Sequence, residues 1–182
     1  AGDPVMSIDE GPAKAKLDKI PALKPAFKKD GTITAASSSS INDGAAALVM
    51  MRASTATKLG CKPLARIVGH ATHAQEPEWF ATAPVGATQK ALAKAGWAVG
   101  DVDLWEVNEA FAVVPMALMK ELNVPHDKVN VNGGACALGH PIGASGARII
   151  GFIASALVFQ IASAGGAVAG AFGHQHRKTA RH

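Results

Sequence analysis

The chain has 182 residues, of which 48% are hydrophobic, 18% charged and 5% aromatic. This length can bury one domain, or one domain and part of another, and the composition excludes an intrinsically disordered chain. The net charge is +4, but Arg177, Lys178 and Arg181 lie near the end, and without these three the charge is +1. Because a nucleic-acid-binding protein needs a basic face with interleaved aromatic side chains, the pattern argues against a nucleic-acid partner.

The cysteines and the first residues bear on the compartment. Cys61 and Cys136 are the two cysteines, which is too few for a disulfide framework. The chain begins Ala1-Gly2-Asp3, without Met and without a signal-peptide pattern. We therefore expect a reducing compartment, the cytoplasm by default, and a start of this kind is typical of a fragment or a processed product.

The first fifth of the chain is predicted to be irregular. Four prolines interrupt residues 1–40, and four serines at 37–40 indicate a loop or a flexible linker. Asn42-Asp43-Gly44 then predicts a tight turn, and the apolar run 45–51 predicts a short buried strand.

Helices and strands alternate in the remainder, which predicts an α/β layered domain. Pro84 and Gly96 bound one helix in the manner of a first-turn proline and a C-terminal glycine. Asn108 is expected to cap another helix, which Pro115 should kink by removing one backbone hydrogen bond. The predicted order is helix 54–59, strand 63–68, helix 84–95, strand 102–107, helix 108–122 and strand 129–131.

The glycine-rich stretch 130–148 has the strongest chemical signal. His140 precedes Pro141, which predicts a position at the start of the following helix. The positive end of that helix would keep the imidazole neutral and make it a hydrogen-bond donor, as an oxyanion hole requires. The alternative, that His140 merely satisfies buried carbonyl groups, remains equally open from the residues alone. Asn108 likewise could serve only as a helix cap.

Two motifs resemble those of the thiolase family. They are NEAFA at 108–112 and NVNGGACALGHPIGASGAR at 130–148, with support from SSSINDGAAALVMM at 38–51. The resemblance covers roughly residues 20–150, and the second motif is long and specific.

The resemblance implies an α/β fold of two similar halves, stacked as αβαβα layers, of which this chain holds mainly the C-terminal half, a mixed sheet flanked by helices. Residues 1–40 would be the end of a loop domain that covers coenzyme A, and residues 41–62 the last strand and helix of the N-terminal half. Residues 63–150 would be the C-terminal domain, and residues 151–182 a divergent apolar tail with a basic end.

The family's reaction forms or cleaves acyl-CoA thioesters, such as acetoacetyl-CoA or 3-ketoacyl-CoA, by Claisen chemistry. By resemblance, His140 and a water held by Asn108 stabilise the enolate oxygen. Ser39 would contact the pantetheine of coenzyme A, Ala110 and Phe111 would line the same channel, and Glu109 would support the turn. The resemblance implies coenzyme A or acetyl-CoA as substrate, no permanently bound cofactor, no metal, and a homo-oligomer.

Both cysteines of the family's chemistry are missing from their expected places. The nucleophile would precede Ala1, and the acid/base cysteine belongs to a C-x-GGG motif whose nearest match is Ala164-Gly165-Gly166. Cys136 occupies a position typical of a small residue. We therefore expect this chain alone to be inactive, and a non-catalytic, coenzyme-A-binding or oligomerising remnant is an alternative function.

The tail permits two structures. Residues 149–172 contain no charged residue and are long enough for a membrane span, with a G-x-x-x-G pattern at 166–170. The alternative is a buried helix followed by a Gly/Ala-rich strand. The first would favour a membrane-associated protein as a third function. We also hypothesise that residues from about Gly151 are divergent or come from an altered reading frame, which translation of the coding DNA in the other frames would test.

Overall fold

The computed structural model describes residues 8–156, 159–162 and 167–173, with side chains described up to residue 152. Short 3-10 helices join the regular elements of these ranges. The α-helices are α1 Glu10–Ala13, α2 Ala53–Lys58, α3 Ala83–Ala95, α4 Val113–Leu122, α5 Ala135–Leu138 and α6 Ser145–Ala156. The strands are β1 Arg66–His73, β2 Glu106–Val107, β3 Phe159–Ala162 and β4 Ala167–Gly173.

The four strands form one mixed sheet in the order β1-β4-β3-β2. Strand β4 pairs antiparallel with β1 and β3, with Ala71 opposite Ala169, whereas β2 pairs parallel with β3. Helix α3 packs against β1 and β4, and α4 packs against α3. The predicted α/β class, a mixed sheet flanked by helices, is confirmed.

Helix α3 forms where the sequence predicts it. Pro84 lies in its first turn, and Gly96 ends it in the left-handed conformation with φ +68°. Its buried face is built largely of small residues, Ala87 and Ala91 among them, so that the helix can approach the sheet closely.

The main core lies between α4 and the segment before β2. Trp105 is fully buried there. Its backbone N–H donates a hydrogen bond to Lys128 O, and its carbonyl oxygen accepts one from Asn130 N, each at 2.8 Å. The apolar residues of this cluster are Leu92, Val102, Trp105, Val107, Val114, Leu118, Val124 and Val129.

Two predicted strands differ from the structure, one being shorter than expected and the other absent from the described elements. Strand 102–107 is reduced to β2, and 129–131 is not a strand, because Val129 makes a single bridge to Trp105. The cause is Asn130, whose backbone has φ +49°. Its side-chain Oδ1 accepts a hydrogen bond from Val107 N (2.7 Å), and its Nδ2 donates one to Val107 O (2.9 Å). The side-chain amide of Asn130 thus forms the hydrogen bonds with the Val107 backbone that a neighbouring strand would otherwise form.

The predicted helix that ends at Leu122 has its N-cap four residues later than expected. Its N-cap is Ala112, whose N–H donates to Ser37 O, so the prediction that Asn108 caps the helix is wrong. Pro115 is the third residue of α4, where the N–H has no partner within the helix. Pro115 therefore removes no hydrogen bond from the helix, and the reason for the predicted kink does not apply.

The predicted buried strand 45–51 is wrong. This run has no regular secondary structure, and Val49 is 90% exposed, with Met50 and Met51 also exposed. The reason is that no strand of the described chain lies beside it, and an isolated extended segment cannot bury its apolar side chains. The neighbouring helix prediction, 54–59, is confirmed as α2.

The apolar tail does not form one long helix. Helix α6 ends at Ala156, and β3 and β4 follow, as in the alternative of a helix and a Gly/Ala-rich strand. Among the described residues, no helix is long and apolar enough to cross a membrane. Residues 157–158 and 163–166 of the predicted span lie outside the described ranges.

The buried face of α4 provides a test of this core. Leu118 is fully buried, whereas Met116 on the same helix is 60% exposed. We expect Leu118→Ala to lower the free energy of unfolding by about 2–5 kcal/mol, because it leaves a cavity. Urea denaturation measures both variants, and the free energy of unfolding of the control Met116→Ala should differ from that of the parent by no more than about 0.5 kcal/mol. Equal losses in the two variants would contradict this packing.

Candidate active site

One short segment, residues 37–41, joins the two loops that carry the predicted site residues. Ser39 N donates to Ala110 O at 3.2 Å, and the next residue, Ser40, accepts from His140 N at 2.8 Å. Single bridges pair Ser38 with Phe111 and Ile41 with His140. Because consecutive Cα atoms lie 3.8 Å apart, the loop 108–112 and the loop 139–141 meet at this segment.

Asn108 follows β2 directly and is 2% exposed. Neither Oδ1 nor Nδ2 of its side chain has a hydrogen-bond partner in the described part of the chain. A buried amide without partners is costly, so this side chain is suited to bind a polar group such as a water molecule.

Glu109 holds the Asn108 loop against the glycine-rich stretch. Its Oε1 accepts from Asn130 Nδ2 at 2.7 Å, and its Oε2 accepts from Cys136 N at 2.9 Å. A Cβ at Gly134 would overlap the Glu109 carboxylate, so a larger residue there would displace this carboxylate from its two hydrogen bonds. The structure thus gives Glu109 contacts suited to the predicted supporting role. Asn130, on which the loop also depends, is a member of the motif for which the sequence predicts no individual role.

His140 lies in the loop before α6, but not at its start. The helix begins five residues later at Ser145, so the helix-terminus explanation for a neutral imidazole is wrong. The pKa of His140 is nevertheless lowered, first by burial and then by the positive charge of Arg148. The ring Nδ1 lies 2.7 Å from Ser145 Oγ.

Ser39, Ala110 and Phe111 form one side of this site. Ser39 Oγ donates to Ala110 O at 3.3 Å, in addition to its backbone bond. The Phe111 ring meets Phe27 edge-on at 5.7 Å and Phe80 at 6.1 Å between centroids. An apolar wall thus stands beside part-buried hydroxyl and backbone groups, a combination that suits an amphipathic ligand. The serines are fixed by these contacts and do not form a flexible linker.

The thiol of Cys136 is poorly suited to act as a nucleophile. Burial raises its pKa to about 12, with further contributions from the charge and hydrogen bonding of Glu109. The thiolate is the reactive form, and it is scarce at neutral pH for such a group. Cys61 is an exposed free thiol.

Glu106 is a buried carboxyl group that sequence reasoning missed. Burial, reinforced by the negative charge of Glu109, raises its pKa from 4.5 to about 7, although Arg148 opposes the shift. The signal was available, because a charged residue within an apolar strand next to a site motif indicates a perturbed group. Within the described ranges, no cluster of three or more His, Cys, Asp or Glu residues is arranged to hold a metal ion.

Glu106 predicts a pH dependence of stability. Between about pH 4.5 and about pH 7 the folded state binds this proton more tightly than the unfolded state, so stability falls as pH rises through that window. The loss is at most about 3.5 kcal/mol, because the two pKa values differ by about 2.5 and one pKa unit corresponds to about 1.4 kcal/mol. Urea denaturation across this range should show a smaller fall in Glu106→Gln than in the parent chain. The exposed control Glu121→Gln should keep the parental slope, and a parental slope in Glu106→Gln would contradict the assignment.

Comparison with known proteins identifies the family. The thiolase C-terminal domain family matches residues 61–176, and the thiolase N-terminal domain family matches residues 1–54. An acetyl-CoA acetyltransferase of Chromobacterium violaceum is 58% identical over 136 residues, which cover 75% of this chain and 35% of that protein.

Solved structures agree with this sequence match. The crystal structure of the Bacillus anthracis acetyl-CoA acetyltransferase has a TM-score of 0.83 and 42% identity, over 90% of this chain and 44% of that chain. A thiolase from Ascaris suum in complex with coenzyme A has a TM-score of 0.81 and 38% identity, over 92% of this chain and 46% of that chain.

The chain spans about a third of the length of the curated relatives that it matches. The family match extends to residue 176, whereas the division into four parts at 40, 62 and 150 stays a prediction. The domain matches, the sequence identity and the shared fold lead to one conclusion: this chain belongs to the thiolase family.

Proposed function

We propose that this chain is part of a thiolase-type acyl-CoA acyltransferase, which forms or cleaves acetoacetyl-CoA or a 3-ketoacyl-CoA by Claisen chemistry. The observation that carries the proposal is Asn108, whose amide is buried and has no partner in the described structure. The segment 37–41 brings its loop beside the loop of His140, as a shared binding site would require.

The proposed role of these two residues is to stabilise an oxyanion. Carbon–carbon bond formation passes through an enolate, whose oxygen gains negative charge in the transition state, and fixed donors lower that barrier. Asn108 would hold a water molecule that donates to this oxygen, and His140 would donate directly through a ring N–H. A neutral imidazole retains one N–H donor, and the lowered pKa of His140 favours that form.

Coenzyme A and acetyl-CoA are the proposed substrates, with no permanently bound cofactor. Ser39 would contact the pantetheine arm, while Ala110 and Phe111 would line its channel. The Ascaris suum relative is described in complex with coenzyme A, which supports this assignment. The printed names of the relatives support the acetyl-CoA acetyltransferase class.

The chemistry needs a nucleophilic cysteine that this segment does not offer. We propose that the nucleophile and the acid/base cysteine belong to other sequence of the parent enzyme, which acts as a homo-oligomer. A cytoplasmic location is proposed because both cysteines of the chain are free thiols. A relative from Xenopus laevis is named as mitochondrial, so the compartment differs within the family.

The second candidate is a remnant that binds coenzyme A without catalysis. The raised pKa of Cys136 favours it, because the chain then has no activated thiol near the site. Both candidates share the coenzyme A contacts, and activity distinguishes them.

Binding of acetyl-CoA tests the shared part of both candidates. Isothermal titration of the full chain should detect binding, and Ser39→Ala should weaken it roughly 2- to 10-fold, because one neutral hydrogen bond contributes about 0.5–1.5 kcal/mol. The control Ser54→Ala, at an exposed position in α2, should bind like the parent. A folded chain that binds no acetyl-CoA would contradict the proposal.

Thiolysis of acetoacetyl-CoA tests the missing nucleophile. At pH 7 a thiol with a pKa of about 12 is ionised in only about one molecule in 10⁵, so no acyl-enzyme should form on Cys136. We expect the rate of acetoacetyl-CoA thiolysis in the presence of the chain to equal the uncatalysed rate. Cleavage that disappears in Cys136→Ser would show this expectation to be wrong.

A further inference from the structure

The first turn of α6 contacts two successive residues of the His140 loop. Ser145 Oγ lies 2.7 Å from His140 Nδ1, and Arg148 Nη2 donates to Gly139 O at 2.9 Å. We propose that Ser145 and Arg148 are positioning residues for His140: Ser145 donates its hydroxyl proton to Nδ1 and so leaves the ring proton on Nε2, while Arg148 fixes the peptide that precedes the ring.

The burial of Ser145 determines the direction of this hydrogen bond. Ser145 is 2% exposed, and His140 Nδ1 is the one partner of its hydroxyl group in the described structure. If Nδ1 carried the proton and donated, the buried hydroxyl proton would have no acceptor, which is costly. If the hydroxyl group donates, its proton is satisfied and Nδ1 must be unprotonated. The Nε2–H tautomer follows.

Arg148 acts on the same loop in two ways. Its bond to Gly139 O fixes the backbone next to His140, at a residue with φ +82° whose Cβ position is filled by the Asn42 side chain. Its guanidinium makes no salt bridge with a described carboxylate, so its charge is not directly neutralised. A positive charge of this kind disfavours a second proton on the imidazole.

Arg148 of α6 is the charged group that acts directly on the ring. Arg148 also acts on Glu106 of β2, whose pKa is raised by burial and by the charge of Glu109 in the loop 108–112. Ser145 and Arg148 are three residues apart on α6, a spacing that places both side chains on one face of the helix. One helical turn can thus control both the tautomer and the charge of His140.

The inference rests on the proposed function, because a fixed Nε2–H matters for catalysis only if His140 stabilises an oxyanion. Its test is independent of activity. Long-range proton–nitrogen NMR spectra of the full, ¹⁵N-labelled chain report the tautomer of each imidazole, and His140→Asn assigns the His140 signal. We expect the Nε2–H tautomer in the parent chain at neutral pH. An Nδ1–H tautomer there would overturn the proposal without any variant.

Ser145→Ala should release the tautomer. The two His140 nitrogen shifts should then move toward each other as both tautomers become populated, and Ser145→Thr, which keeps the hydroxyl group, should retain the parental pattern. The control Ser54→Ala should change nothing. A parental pattern in a folded Ser145→Ala would contradict the role of the hydroxyl group.

Arg148→Gln removes the positive charge and Arg148→Lys keeps it, so the two variants together test the effect of the charge on the ring. The pH titration of Arg148→Gln should show a higher pKa for His140 than in the parent, whereas Arg148→Lys should keep the parental value. An unchanged titration in Arg148→Gln would overturn the electrostatic role. If these results are as expected but acetyl-CoA does not bind, the proposed function fails and the positioning role stands.

Discussion

The carboxylate of Glu109 accepts one hydrogen bond from the side chain of Asn130 and one from the backbone of Cys136. These two bonds join the loop that carries Asn108 to the stretch that leads to His140. Asn130 in turn holds Val107 at the end of β2, so the strand, the loop and the glycine-rich motif form one unit. Gly134 leaves the space that the carboxylate needs. The rest of the site depends on this bridge between segments far apart in the sequence.

The electrostatics around this bridge favour neutral hydrogen-bond donors over reactive nucleophiles. The pKa of His140 is lowered, which keeps the imidazole uncharged, and the pKa of Cys136 is raised, which keeps the thiol protonated. An oxyanion site requires donors of fixed orientation, and a charged histidine is not needed for that task. These features suit the proposed oxyanion site, for which we propose that the bond-making groups belong to other sequence of the parent enzyme.

The motifs contain residues that the structure brings close together, whereas local patterns predicted several secondary-structure elements wrongly. NEAFA and the glycine-rich stretch indicated which residues lie together, and Gly96 and Pro84 bounded α3 correctly. Asn108 could not be separated from a helix cap by sequence, because its environment depends on contacts with residues 37–41 and 130–136. The run 45–51 has the pattern of a strand, but no strand of the described structure lies beside it. The side chain of Asn130 forms hydrogen bonds with Val107 that a neighbouring strand would otherwise form, and hydrophobic periodicity in the sequence cannot indicate such an arrangement.

We propose that Asn108 and His140 polarise the carbonyl group of a bound thioester. Infrared difference spectra of acetyl-CoA labelled with ¹³C at the carbonyl, recorded with the full chain, measure that polarisation directly. The account predicts that the carbonyl band moves to lower frequency on binding, and that His140→Asn reverses most of this shift while acetyl-CoA still binds. A bound thioester whose carbonyl band stays at the frequency of free acetyl-CoA would contradict the account.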